Sequence, residues 1–229
     1  MKTFESAPLI KINKQLNPKI WKDNQLRSDV RNSLLKIAQD FLKFVDVPVD
    51  VIDIQITGGN ANYNYTRHSD LDLHIISDFS NVRCEREVAE LFDSKRLLYR
   101  ELYVIKIFGI PVELYIEDRD HPAVSSSYSI VKNKWINPPS IVQPTYNIKE
   151  VEHMVNVWTL ILQNAMKTGD RHQLKRVLKL LRAYRQLGLK RSGEFSIPNL
   201  VYKSLRNNKT IHGLFKLLNK LHDQELSLK

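Results

Sequence analysis

A single cysteine, Cys84, in 229 residues leaves no partner for a disulfide within the chain and too few thiols for a cysteine-based zinc cage. Long apolar runs are also missing: no stretch approaches the ~20 residues that a bilayer-spanning helix needs. Residues 1–14 alternate apolar and charged side chains without the apolar centre of a secretory leader. These absences lead to the expectation of a cytoplasmic protein with no membrane partner. Seven glycines and nine prolines are too few for a low-complexity chain, and no repeat recurs at solenoid spacing. There is no Gly-x-x-x-x-Gly-Lys-Ser/Thr phosphate loop. No helix-turn-helix or zinc-finger pattern specifies a DNA sequence.

What is present is a chain that is 42% hydrophobic, enough for one large core or two small ones. Its formal charge of +10 is unevenly placed. Residues 1–150 carry 20 Lys+Arg against 20 Asp+Glu, and residues 151–229 carry 15 against 5. The whole excess lies in the last third. Such asymmetry suits a region that meets a polyanion beside a region that does chemistry; a solvated basic surface is the plainer alternative.

Apolar periodicity predicts a helix over 29–45, ended by Pro48. Residues 49–56 read as a strand stopped by Gly58-Gly59, and 71–76 as a second strand. In that second strand Asp70, Asp72 and His74 share one face, and Leu71, Leu73 and Ile75 the other. A helix over 84–99 follows, then a strand over 101–108, a turn at 109–111 and a strand over 112–116. The stretch 117–147, with Pro122, Pro138, Pro139 and Pro144, reads as a linker or wrapping loop. Helices are expected near 148–167, 170–187 and 210–225. The fold class is therefore α+β: a mixed β-sheet with flanking helices, then an all-helical C-terminal region.

Gly58-Gly59, a ten-residue spacer and Asp70-Leu71-Asp72 form the constellation that carries chemistry, with Glu113 on a later strand. Carboxylates at i and i+2 of a strand point the same way, roughly 6–7 Å apart at the backbone. They suit hard divalent cations bound through oxygen, and Mg²⁺ is commonly held by one or two carboxylates plus substrate phosphates. The glycines let a phosphate approach bare backbone N–H groups, and a following helix would add its N-terminal dipole. The alternative is that Asp70 and Asp72 are solvent-facing strand residues after a turn, and Glu113 an exposed hairpin residue.

The string Ile56-Thr57-Gly58-Gly59, then Ser69-Asp70-Leu71-Asp72-Leu73, then Val112-Glu113-Leu114 resembles the nucleotidyltransferase superfamily that includes DNA polymerase beta. It covers roughly residues 50–118. Gly59 stands where many members have serine. The charge asymmetry and the proline-bearing stretch divide the chain into an expected catalytic domain over 1–147 and a basic helical domain over 148–229, and the resemblance implies that the first has a mixed sheet. It implies that Asp70, Asp72 and Glu113 bind Mg²⁺ or Mn²⁺, two ions being expected, and that Glu113 helps activate the acceptor hydroxyl. It further implies that Gly58 and Gly59 hold the triphosphate of a nucleoside triphosphate (NTP), ATP among them. The expected activity is transfer of a nucleoside monophosphate from that NTP to an acceptor.

Asn60 and Ser69 flank the motif and join the substrate-binding candidates. Asn62 and Asn64 suit turns or positive φ and are read as structural. Arg67 and His68 could meet triphosphate charge or form an exposed turn, and His74 is read as a hydrogen-bonded neighbour of the acids. Tyr128, Lys132, Lys134 and Trp135 combine aromatic and cationic groups as base stacking would use them, with a core role for Trp135 as the alternative. On the helix from 170, Arg171, Lys175, Lys179, Arg182 and Arg185 fall within roughly a third of the circumference, opposite Leu174, Val177, Leu181 and Tyr184. Lys175, Lys179 and Arg182 are the candidates there for triphosphate, RNA or DNA backbone, which tilts the acceptor toward nucleic acid. The competing class is a non-catalytic nucleic-acid-binding or interaction protein on a nucleotidyltransferase-like fold.

Overall fold

The computed structural model describes residues 12–80, 84–120, 126–141 and 146–227. The chain divides into two compact units, one spanning 11–142 and the other containing 143–229.

The first unit is built on a six-stranded mixed sheet. A two-stranded ribbon, β1 (Trp21–Lys22) and β2 (Gln25–Leu26), precedes helix α1 (Ser28–Val45). Val30, Leu34, Ala38, Phe41 and Val45 form the buried stripe of α1, and Asp46 closes it in a left-handed conformation at φ 56°. Strands β3 (Val51–Thr57) and β4 (Leu71–Ser77) pair antiparallel, and helix α2 (Glu85–Leu102) carries the chain across to β6 (Ile110–Asp118), which runs parallel to β4. Parallel neighbours require such a crossover. With β5 (Lys106–Ile107), β7 (Ser127–Ser129) and β8 (Lys134–Asn137), the sheet order is β5-β6-β4-β3-β7-β8.

Two expectations are corrected in this unit. The strand expected over 101–108 shrinks to β5, because α2 runs on to Leu102 and buries Phe92 and Tyr99 two turns apart. Tyr103-Val104-Ile105, apolar throughout, then leads out of the helix; alternation alone misread it. The loop expected over 117–147 contains the β7–β8 hairpin. These strands are short, and β7 is two-thirds serine, so hydrophobic pattern could not reveal them. Tertiary contacts hold them instead: Ser129 Oγ donates to buried Asp53 at 2.7 Å, and Trp135 stacks on Trp21 at 4.7 Å. Pro138 and Pro139 follow β8, while Pro122 and Pro144 lie outside the described residues.

The second unit is helical: α3 (Ile148–Thr168), α4 (Arg171–Ser192), α5 (Ile197–Asn207) and α6 (Thr210–Leu226). Asp170 caps α4, its carboxylate accepting from His172 and Gln173 N–H groups. The short α5 was not anticipated, because Pro198, Asn199 and Ser204 dilute its apolar pattern. It is nonetheless central, burying Leu200, Val201 and Leu205. Gly188 of α4 makes room for it, since a β-carbon there would stand 2.7 Å from Pro198 Cβ. No helix among the described residues is long and apolar enough to cross a membrane.

Candidate active site

The polar face of β4 and β6 brings the acids together in sequence register. Asp72 lies opposite Glu113, His74 opposite Tyr115 and Ile76 opposite Glu117. The buried alternation of Leu71, Leu73 and Ile75 fixes which way these side chains face, because a one-residue slip would turn the acids into the core. Asp70 stands immediately before β4, half-buried.

Gly58 ends β3 next to Asp72, whose strand partner is Thr57. Its φ is 72°, and a β-carbon on it would stand 2.0 Å from Asp72 Oδ2. The site therefore needs glycine twice over, for the backbone angle and for the space the carboxylate occupies. A β-carbon on Gly59 would lie 3.2 Å from Ser69 Oγ. After the glycines the chain makes a single 3-10 turn, Gly59–Ala61, too short to supply the dipole that a following helix would add.

Asn60 and Ser69, both substrate-binding candidates from the sequence, build this turn. Asn60 is 1% exposed; its Nδ2 donates to the Ser69 and Asp70 carbonyls at 3.2 and 2.8 Å. Its Oδ1 accepts from Asn17 at 2.9 Å, and its carbonyl accepts from Trp21 Nε1 at 2.7 Å. Asn60 is thus engaged as a strut under the start of the acid strand. Ser69 Oγ accepts from the Thr66 N–H at 2.9 Å. Neither Asn62 nor Asn64 has positive φ, but both stand where the chain turns, and Asn62 Oδ1 accepts from the Tyr63 N–H at 2.8 Å.

Glu113 is engaged at both oxygens. Arg100 from α2 approaches Oε1 at 3.3 Å, and the Tyr115 hydroxyl donates to Oε2 at 2.7 Å. Burial pushes the Tyr115 hydroxyl well above the usual tyrosine range, aided by Glu113 and by the nearby charge of Asp72. Tyr115 stacks on His74 at 4.6 Å, and His74 Nδ1 meets Glu117 Oε2 at 2.8 Å. A cavity of about 600 Å³ opens beside Tyr115, lined also by Arg86, Glu90, Asp93, Arg96 and Glu117. Tyr115 was legible as an i+2 neighbour of Glu113 on one strand face; Arg100 carried no sequence signal.

Asp70, Asp72 and Glu113 are hard oxygen donors at the start of β4 and on the neighbouring β6, which fits a divalent cation in chemistry. Among the described residues no three acids, histidines or cysteines stand close enough to hold an ion together. The contacts of Glu113 with Arg100 and Tyr115 direct that carboxylate elsewhere.

The remaining candidates are placed as follows. Arg67 and His68 are exposed, Arg67 Nε donating to His68 Nε2 at 3.0 Å. Tyr128 is 1% exposed and packs edge-on against Trp21 and Trp135, which removes it from any stacking surface; Lys132 and Lys134 are exposed. Within the helical unit, Lys175, Lys179 and Arg182 are exposed on α4, Arg182 lying over the Phe215 ring. The ends of that basic ridge are engaged internally: Arg171 pairs with Glu225 and meets His222, and Arg185 donates to Asn199 and covers Tyr202.

No protein-family model matches the chain, and no curated protein matches it. Among solved structures it is similar to a STING-associated CdnE c-di-GMP synthase from Capnocytophaga granulosa, at 17% identity and a TM-score of 0.24, over 87% of this chain and 67% of that one. A likeness of that degree fixes neither the fold nor the chemistry of this chain.

Proposed function

We propose that the chain is a metal-dependent nucleotidyltransferase that moves a nucleoside monophosphate from an NTP to an acceptor hydroxyl, with residues 1–147 as its catalytic domain and 148–229 as a basic helical domain. The observation that carries this reading is the position of Asp72, seated on the bare Cα of Gly58 on one side and in register with Glu113 on the other. A solvent-facing strand aspartate has no need of a glycine held at positive φ beside it.

In this reading Asp70, Asp72 and Glu113 hold Mg²⁺ or Mn²⁺, which when bound stabilises charge on the attacking and leaving oxygens. Gly58 and Gly59 offer backbone N–H groups to the triphosphate, with Ser69 beside them. Asn60 keeps Ser69 and Asp70 in place. The acceptor oxygen forms a bond to the α-phosphorus as the bond to pyrophosphate breaks, and the hydroxyl proton passes to the Glu113 carboxylate. Lys175, Lys179 and Arg182 supply a screened positive surface for an anionic acceptor, RNA or DNA backbone being the fitting chemistry.

The alternative, a non-catalytic binding module, draws on Glu113 being tied to Arg100 and Tyr115. One experiment separates the two. The purified protein is incubated with each labelled NTP, Mg²⁺ or Mn²⁺ and total cellular RNA, beside an Asp70→Asn/Asp72→Asn variant. Metal-dependent label in RNA, protein or a small product is expected from the wild type, with at least a thousandfold less from the variant. Absence of transfer together with absence of NTP and metal binding by calorimetry would sink the catalytic reading.

A further inference from the structure

The segment between the glycines and the acid strand is pinned from outside. Asn13 donates its N–H to the Tyr63 carbonyl at 2.7 Å, and its Nδ2 to the carbonyls of Tyr63 and Tyr65 at 3.0 and 2.9 Å. Between those two clamped carbonyls sits Asn64, 4% exposed. Among the described residues, neither its Nδ2 nor its Oδ1 has a hydrogen-bond partner. The Oδ1 lies 3.7 Å from where a β-carbon would stand on Gly59. The clamp therefore holds a buried, unpaired carboxamide against the glycine turn. A leucine of similar size would avoid the loss that an unpaired buried amide imposes.

Both ends of the amide are unpaired, and this restricts what would complete it. Ionised phosphate oxygens only accept hydrogen bonds, and would leave Oδ1 without a donor. A hydroxyl donates and accepts at one atom. A nucleotide whose phosphates lie along Gly58–Gly59 carries its sugar immediately beside them, and its base further off. We propose that Asn64 is a specificity residue that hydrogen-bonds a ribose hydroxyl of the bound nucleotide. This deepens the nucleotidyltransferase reading and rests on it.

The test compares wild type with Asn64→Leu. Melting temperatures are measured without ligand. Affinities are measured by calorimetry, with Ca²⁺ in place of Mg²⁺, for ATP, GTP, CTP and UTP, for the 2′-deoxy and 3′-deoxy forms of the tightest binder, and for inorganic tripolyphosphate. The variant is expected to melt at or above the wild type, to lose about tenfold in ribonucleotide affinity, and to bind tripolyphosphate unchanged. The preference of the wild type for the ribonucleotide over one deoxy form should vanish in the variant. A lower melting temperature with unchanged nucleotide affinity would make Asn64 structural and overturn the proposal. An equal loss for tripolyphosphate would assign the amide to phosphate, and a loss confined to one base would assign it to the base edge; either overturns it. If Asn64→Leu does not fold, Asn64→Ala is read by the same affinities. Nucleotide binding equal in both proteins defeats the proposal alone, whereas a wild type that binds neither nucleotide nor tripolyphosphate defeats the nucleotidyltransferase reading and this proposal with it.

Discussion

The two units place their polar groups by opposite rules. Around the acid strand they are buried: Asn17, Asp53, Thr57, Asn60, Asn64, Ser77 and Ser129 are all under 9% exposed. Among the described residues of the helical unit the buried polar ones are Ser196, Asn199 and Ser204, at the α4–α5 turn and on α5, while Lys175, Lys179 and Arg182 of α4 stand in solvent. Buried polar networks fix geometry, because each misplaced group leaves a partner unpaired. Solvated charges attract without fixing anything. The first arrangement suits positioning for chemistry, and the second suits contact with a variable anion.

Two glycine substitutions sharpen this contrast, and they carry the largest expected effects. Gly58→Ala meets both a positive φ and the Asp72 carboxylate 2.0 Å away. It should cost about 1–3 kcal/mol of stability and remove transfer almost completely, read by chemical denaturation and by the labelled-NTP assay. Gly188→Ala is also crowded, at 2.7 Å from Pro198, but at an ordinary helical φ. Overpacking of about 1–3 kcal/mol is offset there by about 1 kcal/mol of helix propensity. Stability should fall modestly and transfer per folded molecule should stay at the wild-type level. Equal loss of transfer in both variants would break the division of roles.

A middle-sized effect is expected at Arg100. Its ion pair with Glu113 is long and the arginine side chain is 57% exposed, so Arg100→Gln should change stability by no more than about 0.5 kcal/mol. Released from that competitor, the acid face should bind Mn²⁺ about two- to fivefold more tightly, the equivalent of an exposed pair. A calorimetric Mn²⁺ titration reads this, and a weaker affinity would show that Arg100 orients Glu113 rather than competing for it.

How far the sequence alone revealed the site follows from the kinds of interaction involved. The alternation that put Asp70, Asp72 and His74 on one face is local, and β4 has that alternation. The register of Asp72 with Glu113 is a pairing across 41 positions, and only Glu113's own strand pattern hinted at it. Side chains that act through long-range hydrogen bonds left no trace in periodicity. Asn60 was read as a ligand contact because it follows the glycines, yet it reaches forward to Ser69 and Asp70 and back to Asn17. β7 and β8 were missed for the same reason, since Asp53 and Trp21 lie far away in sequence. α5 was missed because its burial depends on Gly188 and Pro198 fitting together, which no single-helix pattern encodes.

The smallest expected effect tests the other half of the comparison. Lys175 and Lys179 are exposed on α4, and neither is part of the ion pairs that hold Arg171 to α6. A Lys175→Gln/Lys179→Gln variant should therefore fold with stability within about 0.5 kcal/mol of wild type. If the ridge meets a nucleic-acid backbone, binding to a single-stranded RNA of mixed sequence should weaken. The slope of log K against log salt should also shallow by about 1.4, two contacts at about 0.7 each for a single strand. NTP affinity in the same variant should be unchanged, since the Gly58–Gly59 turn is the proposed phosphate site. An RNA slope identical to wild type would leave the α4 cations as a solvated face. A fall in NTP affinity instead would make them part of the nucleotide site, and the contrast between a site built from buried polar groups and a surface of free charge would no longer describe this protein.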